Sequence, residues 1–446
     1  MRKGNRILSG LLALVMAAVM LLCPAEAITY EPDFTPTSKV ENLDTGLILY
    51  EKNADEKMYP ASLTKIMTAI VVLENVKDLD GETAEYPMWI QNMLYGTNAS
   101  LGGLIVGEEL TIRQLLTSAL VQSGNESAMI LAGYVGSGGM ADFMPRDITT
   151  FVEMMNDKAK ALGCTGTHFT NPTGLHSDNT YTTARDMAIM AKYAMQKSAF
   201  SSIVKNYAVQ LGQTNKHADL WQYSTNKMLL TSSPYYYAPV VGIKTGSTDE
   251  AGRCVISQAE DSGYHYFCVV MGSPVTAAEP YQNFIETRQL YRWAFGNFSL
   301  RTLLEQGELM AEVPVKYSGD GKVAKLAIKE DVVQLLRDDI SLDSIIYKAE
   351  LPEFVEAPIA AGDTVGKMHI MLMGEEIGTV ELVATQAFSL SWFRKALGTI
   401  GSLLSSTVAK VIFIVVVLAI AGYIVYAVRH NKKRKKHRSK YSDRNY

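Results

Sequence analysis

The stretch that most constrains this chain lies near its end. Val411 to Val428 is 18 residues without a single charge, long enough to cross the hydrocarbon core of a bilayer as a helix. Length alone also suits the buried helix of a soluble domain, so the flank has to decide. Arg429, Lys432, Lys433, Arg434, Lys435, Lys436, Arg438 and Lys440 follow at once, and such a cluster marks the cytoplasmic side of a span. Tyr423 and Tyr426 stand near one interface. At the other end, Arg2, Lys3 and Arg6 precede an apolar run from Ile7 to Leu22, with Ala25-Glu26-Ala27 as a cleavage site, which is the pattern of a secretion signal. Cys23, set between Leu22 and Pro24, is expected to leave with that signal and not to carry a lipid. The body of the chain is therefore expected outside the cell, with a short tail left inside.

Charge is divided in the same way. The net charge is −4, but residues 429–446 carry nine Lys/Arg and one Asp, so the tail holds +8 and the rest −12. An acidic body argues against nucleic acid as a partner, and the tail suits an anionic membrane surface better. With 48% apolar and 20% charged residues, the body has ordinary globular composition and room for two or three domains. Beyond the signal there are three cysteines, Cys164, Cys254 and Cys268, and an odd count argues against a disulfide framework. Cys254 and Cys268 fall on consecutive strand-like runs and can be neighbours; buried, reduced thiols are the preferred reading. The seven histidines, 168, 176, 217, 265, 369, 430 and 437, show no metal-ligand spacing, so neither metal nor cofactor is expected.

Strand-like pattern runs from Phe34 to Lys57 around Leu47–Tyr50. Helical periodicity follows from Ser62, then over Glu109–Ile130 with a break at Ser123-Gly124-Asn125, over Phe151–Leu162, over Thr183–Lys197 and over Pro280–Phe295. Residues 171–179 read as loop. Val240–Lys244 opens a set of strands, and Gly252–Gln258 with Tyr264–Met271 reads as a hairpin around Asp261-Ser262-Gly263. Hairpin-paired strands flanked by helices predict an α/β (α+β) domain with an antiparallel sheet. The expected divisions are signal 1–27, catalytic domain 28–300, small all-β domain 301–386, juxtamembrane linker 387–410, span 411–428 and tail 429–446. The linker, with Trp392, Phe393 and Arg394, can also lie along a membrane surface.

Three short stretches suggest chemistry. In Pro60-Ala61-Ser62-Leu63-Thr64-Lys65, Ser62 and Lys65 are three apart and share a helix face. A serine hydroxyl needs a base to become a nucleophile, and a lysine of lowered pKa can supply it. Ser202-Ile203-Val204-Lys205 has the same spacing, so the spacing alone is weak. Lys244-Thr245-Gly246-Ser247 is the only Lys-Thr-Gly in the chain; a cation, hydroxyls and a glycine that admits close approach make a seat for a carboxylate. Ser-x-Asn occurs at 123–125, 177–179 and 224–226. The first is chosen because it interrupts two helical runs and can reach into a cleft; the second sits in a turn-rich loop.

Ser-x-x-Lys, Ser-x-Asn and Lys-Thr-Gly in this order resemble the set found in penicillin-binding proteins and class A β-lactamases, with Gly124 where the latter set has Asp. Pro-Ala-Ser-Leu-Thr-Lys, Asn-Pro-Thr-Gly-Leu, Thr-Ala-Arg-Asp-Met-Ala and Gly-Ile-Lys-Thr-Gly-Ser-Thr resemble the low-molecular-mass D-alanyl-D-alanine carboxypeptidases, peptidase family S11, over residues 34–385. The resemblance implies a penicillin-binding fold followed by that family's all-β domain. It implies that Ser62 attacks the carbonyl between the two terminal D-alanines of a peptidoglycan stem peptide, with Lys65 as base. Ser123 would relay the proton, Asn125 would orient substrate and Lys65, and Lys244 and Thr245 would hold the terminal carboxylate. The backbone of Ser62 and Ser247 would form the oxyanion hole. Lys227 stands where many relatives place a basic residue near that carboxylate; a solvated lysine is the equal alternative. β-Lactams would be covalent inhibitors, and the active domain would face the cell wall. Relatives usually anchor through an amphipathic helix, and the full span with a basic tail departs from that pattern.

Three other readings lack the residues they need. A β-lactamase needs fast deacylation, which class A enzymes obtain from a Glu in a loop after Ser-x-Asn, and residues 166–182 contain none. A non-catalytic wall sensor would need a tail with a recognisable domain. A metal-dependent D,D-peptidase would need ligand spacing that the histidines lack.

Overall fold

Five strands form one antiparallel sheet: β1 (Thr37–Asn42), β2 (Ile48–Lys52), β3 (Lys244–Thr248), β4 (Gly252–Asp261) and β5 (Tyr264–Ser273), in the order β2-β1-β5-β4-β3. This is a computed structural model that describes residues 37–405 and 407–442; the signal segment lies outside the described residues. β5 touches helices from two parts of the chain, which explains why Tyr266–Met271 is buried without alternation. The hairpin expected around 261–263 joins β4 to β5.

The helical layer is built around α1 (Lys65–Asn75), whose first eight residues are all buried. A helix apolar on every side has to be enclosed. It is enclosed by α2 (Asn125–Gly136), α3 (Pro145–Ala161) and α4 (Ala184–Met195). The hydroxyl of Thr183 caps α4 by accepting from the Asp186 amide at 3.0 Å. α5 (Gln282–Asn297) packs on β4 and β5.

Two local expectations are corrected. The helical run 109–130 is a short strand (Glu109–Thr111), an α-turn (Ile112–Thr117) and a π-helical turn (Ser118–Gln122) that ends at Ser123 in the left-handed region, φ 67. The break at 123–125 stands where the sequence puts it. Val240–Lys244 is not the strand: Gly242, at φ +112, holds the chain out of regular pairing, and the Lys-Thr-Gly segment is itself β3. The preferred reading of the cysteines, buried reduced thiols, holds. The hairpin register sets Cys268 opposite Ser257, and all three cysteines are free and buried.

A second unit begins after Phe298. Its first part is an all-β domain, with a six-stranded sheet and a strand pair, 298–304 with 332–337, around a separate apolar core. The segment expected to be a linker is instead helical from Trp392 to Ser405. It is tied to the β unit: Arg394 Nη1 donates to the Ser318 carbonyl at 2.8 Å, and a Cβ on Gly398 would fall 2.4 Å from the Tyr317 ring. Trp392 and Phe393 stay about three-quarters exposed, at 75% and 74%. A 36-residue helix follows, Thr407–Ser442. Within it, Lys410–Lys432 is long and apolar enough to cross a membrane.

Candidate active site

Pro60 opens a 3-10 turn, Ala61–Thr64, and α1 begins only at Lys65. Ser62 therefore sits in the turn and not in the helix. Side chains three apart eclipse in 3-10 geometry, so Ser62 and Lys65 meet all the same. Ala61, just before the serine, has φ 46, a strained value for a residue with a side chain. Ser123 shares that left-handed region, so both segments that face each other here carry local strain.

Lys65 is fully buried and its Nζ has three partners: Ser62 Oγ at 3.0 Å, Asn125 Oδ1 at 2.9 Å and the Thr173 carbonyl at 2.7 Å. Burial, and next the Lys244 charge, push its pKa well below the usual lysine value, while Glu126 acts the other way. In the neutral amine two N–H groups remain. The amide and carbonyl oxygens can only accept, so they take those two donors. Ser62 is the one partner with a proton to give, and it faces the lone pair. Asn125 is held in the required orientation because its Nδ2 donates to the Ser100 carbonyl at 2.8 Å.

Thr173 was not singled out from the sequence, because its contribution is a main-chain carbonyl. The Asn171 side chain builds the loop that presents it, accepting from the amides of Thr173 (3.1 Å) and Gly174 (2.7 Å) and donating to the Leu175 carbonyl (2.9 Å). Gly174 is at φ +81, and a Cβ there would lie 1.8 Å from the Ala61 carbonyl. Asn-Pro-Thr-Gly-Leu is thus a device for holding an acceptor over Lys65.

Lys244 lies beneath the cleft. It is 1% exposed, and its Nζ donates to Ser123 Oγ and to the Thr245 carbonyl, both at 3.0 Å. Burial lowers its pKa to about 7. The Ser123 hydroxyl accepts from Lys244 and so keeps its own proton free. Thr245 shares a short hydroxyl–hydroxyl bond with Thr225. Gly246 has a role the sequence reading missed: a Cβ would stand 2.9 Å from the Pro60 carbonyl and 3.2 Å from the Ser62 nitrogen, so the glycine lets β3 close on the serine turn.

These segments surround a cavity of about 360 Å³, whose lining includes Ser62, Ser123, Thr225, Lys227, Thr245, Gly246, Ser247, Arg253 and Tyr281. Lys227 is one of its walls and not a solvated surface lysine. The competing motifs lie apart or serve as support. Ser202 is exposed and donates to the Ala199 carbonyl, and Ser177-Asp178-Asn179 stays in its loop. Of the third Ser-x-Asn, Ser224 lines the cavity, while Asn226 braces the Gly242 carbonyl. Among the described residues no group of three His, Cys, Asp or Glu could hold a metal ion.

An antiparallel sheet against a helical layer, with a buried lysine pressed on a serine at their junction, is the fold of the penicillin-binding proteins. Residues 40–275 match the D-alanyl-D-alanine carboxypeptidase family model, and residues 298–389 match the penicillin-binding protein 5 C-terminal domain. The chain is 28% identical over 396 residues to the D-alanyl-D-alanine carboxypeptidase DacF of Bacillus subtilis, covering 86% of this chain and 95% of that one. It is 32% identical over 267 residues to a Streptomyces D-alanyl-D-alanine carboxypeptidase, covering 58% and 88%. Penicillin binding protein 5 from Haemophilus influenzae superposes with a TM-score of 0.59 at 27% identity, over 81% of this chain and 99% of that one. The chain belongs to the D-alanyl-D-alanine carboxypeptidases of peptidase family S11, penicillin-binding enzymes that act on peptidoglycan.

Proposed function

We propose that this chain removes the terminal D-alanine from peptidoglycan stem peptides through an acyl-enzyme on Ser62. The observation that carries the reading is the fully buried Lys65 with Ser62 as its one proton-bearing partner. Lys65 takes the hydroxyl proton while Oγ attacks the carbonyl between the two D-alanines. The oxyanion is met by the backbone N–H groups of Ser62 and Ser247, a contribution of typically about 3 kcal/mol. Ser123 hands its proton to the leaving amine and is re-protonated from the lysine pair. D-Alanine leaves, and water then hydrolyses the ester. β3 is an edge strand paired only with β4, so its outer edge can pair with an extended peptide. Lys244 and Thr245 provide the positive, hydroxyl-bearing end for the terminal carboxylate, with Lys227 beside them. β-Lactams acylate the same serine.

The carboxypeptidase domain is taken as 28–300 and the all-β domain as 301–386. The span is taken to leave both outside, on the cell-wall side, with the basic tail in the cytoplasm. Positive flanking charge supports that sidedness. The test is release of D-alanine from a peptide ending in D-Ala-D-Ala. It is expected from the wild type and lost in Ser62→Ala and Lys65→Ala. Rapid turnover of a chromogenic cephalosporin would instead make the chain a β-lactamase, and a Ser62→Ala protein that still performs its cellular role would make it a binding module.

A further inference from the structure

The proton transfer described above leaves one buried ionisable group unused. Glu126 follows Asn125 in the first turn of α2 and is 1% exposed. Its Oε1 accepts from the Gly102 amide at 2.5 Å, while Oε2 is buried with no hydrogen-bond partner. Gln222 clasps Gly102 from the other side, its Nε2 donating to the Gly102 carbonyl at 2.9 Å. A carboxyl buried with one oxygen unpaired costs stability, and a neutral side chain could fill the same space. Gly124 leaves room for the group: a Cβ there would lie 3.2 Å from Oε2. The ionisable groups facing Glu126 are Lys65 on α1 and Tyr86, whose hydroxyl is pushed up to about 12 by burial and next by Glu126. The other neighbours, Ser118, Ser127 and Gln222, are neutral. Lys65 in turn is faced by Lys244 from β3 and by Glu126, which act on it in opposite senses. Burial raises the Glu126 pKa, while the amides of Glu126, Gly102 and Leu104 and the charge of Lys65 favour the carboxylate. So does its place at a helix N-terminus.

We propose that Glu126 is a positioning residue for the proton transfer: its buried carboxylate is the counter-charge of the ammonium that Lys65 becomes. This rests on the serine acyl-transfer reading above. As Ser62 Oγ bonds to the carbonyl carbon, its O–H bond breaks and the proton joins the Lys65 amine. A positive charge then appears inside the protein, beside Lys244, where little water can answer it. Asn125 meets that charge only as a neutral dipole, and the next residue in the chain supplies the ion. Glu126 keeps Lys65 a stronger base than burial beside Lys244 alone would leave it. By the same interaction it raises the pH at which the free amine forms. A purely structural carboxyl would do neither.

The experiment follows the acylation rate of the full chain in detergent with a fluorescent penicillin, from pH 5 to 10. Glu126→Gln keeps an acceptor for the Gly102 amide and removes the charge. Its rising limb is expected about one pH unit below that of the wild type, and its plateau about tenfold lower. Glu126→Asp keeps the charge on a shorter arm, and its limb is expected to stay with the wild type's. A structural lesion lowers the rate at every pH and leaves the limb in place, so an unshifted limb in Glu126→Gln overturns the proposal. So does a Glu126→Asp limb displaced to low pH, and that variant carries the test alone where Glu126→Gln does not fold. A wild type that forms no adduct at any pH refutes the acyl-transfer reading itself, and the role of Glu126 falls with it.

Discussion

Asn125→Asp changes an amide nitrogen to oxygen and alters the shape of the site very little. It would put a carboxylate where Asn125 Oδ1 now stands, 2.9 Å from Lys65 Nζ. At that distance, with an effective dielectric of 20, the attraction is about 6 kcal/mol. That corresponds to about four decades in the ratio of ammonium to amine. The buried carboxylate also loses the donor it gave to the Ser100 carbonyl, so part of the attraction is spent on its own desolvation. About two decades is the expected minimum. The sign follows from the direction of the natural shift. Burial holds Lys65 below its usual pKa, so the free amine forms at lower pH than in an exposed lysine, and the base works above that pKa. A new negative neighbour raises that pKa and moves the working window to alkaline pH. Acylation by a fluorescent penicillin, followed from pH 6 to 10, should therefore show its rising limb displaced to higher pH by about two units. An undisplaced profile, or a loss equal at every pH, would refute the role given to Lys65.

Other outcomes follow from the same geometry. Gly246→Ala drives a methyl against the Pro60 carbonyl and the Ser62 turn, so acylation should fall by about 100-fold while the thermal midpoint drops only a few degrees; retained activity would show that the turn yields freely. Lys244 loses its charge as pH rises through about 7. In pH profiles of the free enzyme, kcat/KM for an acid-terminated peptide should fall above that pH, and a flat profile to pH 9 would remove Lys244 from anion binding. A chain ended after Ser391 lacks both C-terminal helices and should leave the membrane fraction without detergent while keeping its acylation rate. Continued sedimentation with membranes would point to another anchor.

What the sequence could reveal depended on which chemistry resides in residue type. Ser62, Lys65 and Lys244 are legible because no other side chain supplies the same group, and their spacing survives even though the turn is 3-10 and not α. The uncharged run with its basic flank is legible because a bilayer tolerates little else. The Thr173 carbonyl is not, since any residue has one; only the Asn171 network shows why this one is aimed at Lys65. Gly246 was read as making room for substrate, whereas the nearest atoms to its missing Cβ belong to the serine turn. The segment 387–410 looked like linker because its glycines and serines hide a helix that docks through Gly398 onto Tyr317.

The central claim is that one hydroxyl, on Ser62, becomes covalently acylated because a buried amine has drawn off its proton. Intact mass after incubation with benzylpenicillin, for the wild type and for Ser62→Ala, tests it most directly. One adduct is predicted on the wild type, mapping to the peptide that contains Ser62, and none on the variant. An adduct on both proteins, or on neither, would contradict the account.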